Sequence, residues 1–285
     1  MSDALDLVGF GLRLLVLPAL VLALARWGGL RLGRLPLSAL LRAVVQLGIV
    51  ALLLRGVLDA PATVAAFLVL MLTTASLTAA GRLRSLHHGR RIAAVGVASG
   101  AAVALAVIFA LRLVALESTY VIAIAGIVIG NAMTAATLSG RGFLHASEER
   151  RDEIEAWLSV GATPSQAHAG IGRGAARESL LPGLDQTRST GLVTLPGAFV
   201  GALFGGASPL EAMQFQLVVL AGLGLAMTVT ALIVTRLAGR TPYVVLAGAE
   251  VGVSAGRAAP GARRPSAGRD PGPAGPAPDA RHPRP

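Results

Sequence analysis

Arg42 and Gln46 stand four residues apart inside a long apolar run, so a helix there carries a guanidinium and a carboxamide on one face. Asn131 and Thr134 share a face in a second apolar run, with Thr137 and Leu138 extending that side. Polar groups in such surroundings cost free energy unless paired or hydrated, which makes them candidates for lining a passage. Each also has a plainer reading. Arg42 can snorkel to a headgroup while Gln46 bonds a neighbouring helix, and Asn131 can act as glue between helices. Both readings stay open. Thr73, Thr74, Ser76 and Thr78 can bond their own backbone and carry less weight. His87, His88, His145, His168 and His282 all fall outside the apolar runs and the methionines are scattered, so no group has metal-ligand spacing and no metal site can be named.

Other chemistries are excluded by composition. There is no cysteine, and all 25 basic residues are arginine. Thiolate metal sites, cysteine nucleophiles, Schiff-base lysines and the lysine-dependent phosphate loop are therefore out of reach. No Gly-x-Gly-Asp, His-Glu-x-x-His or Ser/His pair lies at membrane depth, so the chain does not read as an enzyme. The net charge of +10 does not point to nucleic acid, because the arginines are interspersed between apolar runs.

Those runs fix the fold class. Residues are 54% hydrophobic and only 14% charged, against roughly 25% charged in a soluble domain. A crossing helix needs about 20 apolar residues. Seven segments qualify: 7–25, 37–58, 60–81, 92–111, 118–140, 189–210 and 212–235. The expectation is an all-α polytopic membrane protein with about seven transmembrane helices. Asp3 and Asp6 replace the basic start of a signal peptide, so the first run is retained. Arginine gathers in alternate connections (Arg26, Arg31, Arg34; Arg82, Arg84, Arg90, Arg91; 141–188; Arg236, Arg240), which places the N-terminus outside and the C-terminus in the cytoplasm. Residues 1–240 form the membrane domain; 241–285, rich in Pro, Gly and Arg, read as a disordered cytoplasmic tail.

One connection, 141–188, holds 13 of the 40 charges. Long ordered loops are usually functional. Ser147 is expected to cap a helix whose first turns carry Glu148, Glu149, Asp152 and Glu153, with an apolar stripe at Ile154, Trp157 and Leu158. Gly161 ends it, Thr163-Pro164 begin a second helix, and Pro182-Gly183 stop that one near Leu181. A lipid-binding surface helix would be basic, whereas this one is acidic (Glu155 included), which suits a docking peg for a cytosolic protein. Just beyond the loop, Pro196-Gly197 followed by Gly201 and Gly205 give a small-residue seam and a kink site in the sixth span. Asp185 and Gln186, just before that span, could sense the docked protein or pair with an arginine.

The run Glu155-Ala156-Trp157-x-x-x-Gly161, followed by nine residues and then Ile171, resembles the EAA loop of bacterial ABC permeases. It departs from that pattern in placing Leu181-Pro182 ten residues after the isoleucine. A closer resemblance covers most of 35–240: Arg42-Ala43-Val44-Val45-Gln46-Leu47, Ile129-Gly130-Asn131-Ala132-Met133, Leu158-Ser159-Val160-Gly161-Ala162-Thr163-Pro164, Leu181-Pro182-Gly183-Leu184-Asp185-Gln186-Thr187 and Gly191-Leu192-Val193-Thr194-Leu195-Pro196-Gly197. In this order they look like the iron-export ABC permease family, which includes a plant relative linked to aluminium tolerance. The resemblance implies a homodimeric inner-membrane permease that exports a metal ion, iron by the family. It implies a cytosolic ABC ATPase subunit that hydrolyses the ATP, docked at Glu155, Trp157, Leu158, Gly161 and Ala162, and no cofactor on this chain. The alternative is an ion-coupled transporter or channel without an ATPase, which would show internal repeats with broken helices or an ionisable residue at the midplane.

Overall fold

A computed structural model describes residues 2–31, 33–57 and 61–240. The tail, 241–285, and the expectation of disorder there lie outside the described residues. Ten helices make up the described chain: α1 (Ser2–Trp27), α2 (Leu35–Val57), α3 (Pro61–Arg82), α4 (Gly89–Ala110), α5 (Ser118–Glu149), α6 (Arg151–Ser159), α7 (Pro164–Ala167), α8 (Ala169–Ser189), α9 (Gly197–Phe204) and α10 (Pro209–Ala238). Among the described residues there is no strand, only an isolated bridge between Thr190 and Thr194.

Six of these helices, α1 to α5 and α10, are long and apolar enough to cross a membrane, and they coincide with six of the seven expected segments. The remaining segment, 189–210, is not one helix. Helix α8 ends at Ser189, the chain turns through Gly191 at φ 102°, and α9 begins only at Gly197. Two features force the break. The Gly191 N–H bonds the Thr194 carbonyl at 2.8 Å in place of a helical partner. Pro196 then lacks an N–H and disfavours helical backbone at Leu195.

The core is built from α3, α4, α5 and α10, with α8 laid against α5 and α10. Its centre is mostly small: Ala79, Ala93, Ala101, Ala132, Ala136 and Ala226, wedged by Leu83, Val97, Ile124 and Phe143. Small residues let apolar helices approach closely where no hydrophobic force drives association. At one crossing, a Cβ on Gly100 would come within 2.6 Å of the Ala226 carbonyl. There Thr230 of α10 donates its hydroxyl to the Gly96 carbonyl of α4 at 3.2 Å. Helix α2, by contrast, buries nothing between residues 35 and 53, and its leucines and valines face outward as lipid-facing residues do. Helix α5 has 32 residues, about 48 Å at 1.5 Å per residue against a hydrocarbon core of about 30 Å. Its last turns, with Arg141, His145, Glu148 and Glu149, therefore project beyond the apolar layer. Helix α10 ends beside the starts of α4 and α8, so Arg91, Arg173, Arg236 and Arg240 gather at one end of the bundle.

Candidate functional site

The projecting end of α5 alters the expected start of the docking helix. Ser147 caps nothing: it is fully buried inside α5, whose backbone runs on to Glu149. Glu148 and Glu149 thus end one helix rather than open the next. Helix α6 starts at Arg151 with no side-chain cap and keeps Asp152 and Glu153 in its first turn. Continuous packing of α5 outweighs the capping preference of a single serine.

The stripe on α6 is divided between two tasks. Ile154 is fully buried and anchors the helix to the core, and Leu158 is half-buried. Trp157 is 51% exposed and Val160 78% exposed, so the outward face is an apolar knob. The acids around it are largely spent on the same helix. Arg150 pairs with Glu153 and Arg151 with Glu155, each at 2.6 Å. The Glu155 carboxylate raises the pKa of the Arg151 guanidinium through that hydrogen bond and its charge. Asp152 has no ion pair among the described residues.

The end of α6 matches expectation. Gly161 sits at φ 88°, its N–H bonds the Leu158 carbonyl at 3.0 Å and the Ala162 N–H bonds the Trp157 carbonyl at 3.0 Å. These two bonds make a Schellman motif, which needs a left-handed residue where glycine stands. Thr163 opens α7 with Pro164 at the first helical position and a reciprocal capping box with Gln166. His168 then fastens the corner to the bundle: its Nδ1 lies 2.8 Å from the Pro164 carbonyl and its ring stacks on Phe143 at 5.6 Å.

Helix α8 does not stop at Pro182; that proline is internal and the helix reaches Ser189. The proline forfeits one helical hydrogen bond. Packing of α8 against α5 and α10 carries the helix through. Its last turns, Leu184 to Thr187, lie beside Leu220 to Thr228 of α10. Leu220 is roughly 16 Å along α10 from its start at Pro209, so the end of α8 lies part-way along a helix of membrane-crossing length.

Asn131 of α5 and Gln186 of α8 meet at that depth in a cavity of about 140 Å³, with Thr187 and Thr228. Asn131 donates its amide to the Ile127 carbonyl at 2.9 Å. Thr187 and Thr228 give their hydroxyl protons to the Gly183 and Gly224 carbonyls. Toward a guest the hydroxyl and amide oxygens keep lone pairs, the Gln186 amide and the second Asn131 N–H remain as donors, and no carboxylate is among the lining residues.

The other sequence candidates are not gathered there. Arg42 and Gln46 are exposed on α2. Thr134 is exposed and donates to the Gly130 carbonyl. Asp185 is exposed, 3.7 Å from Arg188. Pro196 is the N-cap of α9, not a kink within a helix. A Cβ on Gly197 or Gly201 would meet nothing within 4 Å, and one on Gly205 would meet only carbonyls of its own helix. The seam that is packed is Gly96-x-x-x-Gly100 on α4. That spacing is visible in the sequence, but the longer glycine series at 197–205 draws the eye first.

A model of the family described as "Uncharacterised protein family (UPF0014)" matches residues 11–243. The chain belongs to the UPF0014 family. It is similar to the UPF0014 membrane protein STAR2 of Oryza sativa subsp. japonica, 37% identical over 205 residues, 70% of this chain and 71% of the relative. It is 35% identical to the protein ALUMINUM SENSITIVE 3 of Arabidopsis thaliana, over 59% of this chain and 61% of that one. It is 32% identical to the Escherichia coli K12 protein named "Probable iron export permease protein FetB", over 62% of this chain and 70% of that one. No solved structure matches. As a UPF0014 chain with six apolar membrane-length helices among its described residues, it is a multi-pass membrane protein.

Proposed function

We propose that this chain is the membrane-spanning permease subunit of an ABC transporter that exports a metal cation, iron by analogy with the name of its Escherichia coli relative. The observation that carries the reading is the construction of α6. An anchored helix presents an exposed Trp157 outside the apolar layer, ends in a fixed Schellman turn, and continues through α7 directly into α8. That is what a lever needs: a knob for a partner, a rigid joint, and an arm reaching part-way along α10. The arginine-rich end, holding Arg91, Arg173, Arg236 and Arg240, supports a cytoplasmic location for that knob and an external N-terminus.

In this mechanism a cytosolic ATPase seats on α6, and its closure on ATP moves α6 and α8 together. The chain gives way at 190–196, where the backbone is already non-helical, so the bend replaces the kink expected at Pro196. ATP is bound and hydrolysed by the partner, and this chain holds no cofactor. The polar cavity at Asn131 and Gln186 can turn amide and hydroxyl oxygens toward a cation, which lone pairs attract. Irregular backbone at membrane depth is tolerated only when protein covers it or it lines water. Leu192 and Val193 stand free in the single chain, which supports a homodimer in which a second copy covers this segment.

A broken element among membrane-length helices also suits an ion-coupled transporter. One experiment separates the two. The chain is purified from membranes with the candidate ATPase, native or as the Glu155→Arg, Gly161→Trp double variant. Retention of the ATPase by the native chain and its loss from a still-folded variant is the expected outcome. ATP-independent transport by the native chain in vesicles, with no ATPase retained, would sink the ABC reading.

A further inference from the structure

The arginine-rich end holds a second site that the transport reading leaves unused. Between the first turn of α8 and the last turn of α10 lies a cavity of about 310 Å³ lined by Arg173, Arg236, Arg240 and His168. No carboxylate lines it. None of the three arginines has an ion pair among the described residues. Guanidinium groups around one cavity repel one another, and no described carboxylate relieves that repulsion there, which leaves it to a counter-anion. Arginines at the end of α10 are ordinary partners for its C-terminal dipole. That reason does not extend to Arg173, which comes from the opposite wall on α8.

His168 is 2% exposed, and its Nε2 is buried without a hydrogen-bond partner. Its Nδ1 faces the Pro164 carbonyl, which only accepts, so Nδ1 carries a proton. With its proton on Nδ1 an imidazole leaves Nε2 as an acceptor, which a donor such as water satisfies and a phosphodiester oxygen does not, so the anion site rests on the arginines. Leu232, Ala169 and Gly172 give the rest of the wall its apolar stretches between Ser165 and Thr235, and Arg240 also lines an adjoining cavity with His88 and Arg91, extending the cationic surface around the end of α10.

We propose that the α8–α10 cavity binds a phosphate group. The planar forks of arginine take phosphate oxygens in pairs, and an arginine pocket at the end of a membrane helix lies at headgroup depth. The phosphate belongs either to an anionic phospholipid or to free inorganic phosphate. Its binding does not depend on the ABC reading, whereas the assignment of a lipid source to the cytoplasmic leaflet does rest on the topology proposed with it. A phosphate bridging Arg173 to Arg236 and Arg240 would tie the lever α8 to α10 and so set how freely the lever moves.

The test uses the full chain in detergent and in nanodiscs, read by native mass spectrometry with phosphatidylglycerol or phosphatidylcholine, and by equilibrium dialysis against radiolabelled inorganic phosphate. Saturable phosphatidylglycerol binding, absent with phosphatidylcholine, is expected to weaken at least tenfold in Arg173→Gln/Arg236→Gln/Arg240→Gln. It should persist in Arg82→Gln/Arg84→Gln/Arg90→Gln, which removes as much charge elsewhere. The single variant Arg173→Glu places a carboxylate in the cavity from the exposed side of α8 and keeps the test valid if the triple variant folds poorly. Inorganic phosphate that binds alone and competes with the lipid identifies the free anion as the source. Equal lipid binding in native chain and Arg173→Glu, or no binding of either probe, overturns the proposal.

Discussion

The sharpest contrast at the scale of single residues lies within one turn of α6. Ile154 is fully buried and Trp157 is half exposed. Ile154→Ala should cost about 2–5 kcal/mol through lost burial and a cavity, visible as a large fall in melting temperature. Trp157→Ala should leave melting nearly unchanged while abolishing ATPase capture in pull-down. If Trp157→Ala keeps its ATPase, the knob is elsewhere. Gly161 has open space around it, so Gly161→Ala is strained by φ alone, costing about 1–2 kcal/mol. Confined to the joint, that cost should lower ATPase retention in proportion without unfolding the bundle. Thr163, Pro164 and Gly161 were legible in the sequence because caps and left-handed turns are local chemistry. Ser147 and Pro182 misled for the converse reason: each is a local signal overridden by packing along α5 and α8 that no short window of sequence contains.

At the scale of elements, two glycine series have opposite environments. Gly100 lies against the Ala226 carbonyl and the Thr230 side chain, with backbone on the far side that cannot yield. Gly100→Leu should separate α4 from α10 and yield no folded protein, whereas Thr230→Val, losing one buried hydrogen bond to Gly96, should cost only about 1 kcal/mol. Size-exclusion profiles of the two variants side by side check this. Hydropathy located six membrane helices, since apolar length is what a bilayer demands, although α5 runs on to Glu149, well past the expected end at 140. It could not separate 189–210 into α9 and a non-helical approach, because a broken apolar segment and a continuous one have the same composition. Gly191 and Pro196 were the available signs of the break. Likewise the meeting of Asn131 with Gln186 depends on how α5 and α8 are packed, and 55 residues of sequence separation conceal it.

At the scale of the whole molecule, the described chain leaves one apolar face uncovered. Around α9 the surface is apolar on every side, with Phe204 89% and Leu195 65% exposed, and no residue of α9 is buried. Lipid could cover a helix, but non-helical backbone such as 190–196 is tolerated in a membrane only where protein covers it or it lines water. A second copy, meeting across the Gly197–Gly201 face, would bury both together and place the two breaks and the two polar cavities about a shared axis. The absence of cysteine makes this directly measurable, since any single introduced thiol is the only one present. Gly201→Cys, where a Cβ meets nothing in the chain, should give an oxidised dimer in membranes on mild oxidation. Leu47→Cys, equally exposed on the outlying α2, should not. If the axis also opens and closes with the ATPase, crosslinking at residue 201 should change in rate when ATP is supplied to membranes containing the partner and stay constant without it. A dimer that forms through α2 instead would leave α9 bare in the bilayer, and the break at 190–196 would then have to line water rather than protein.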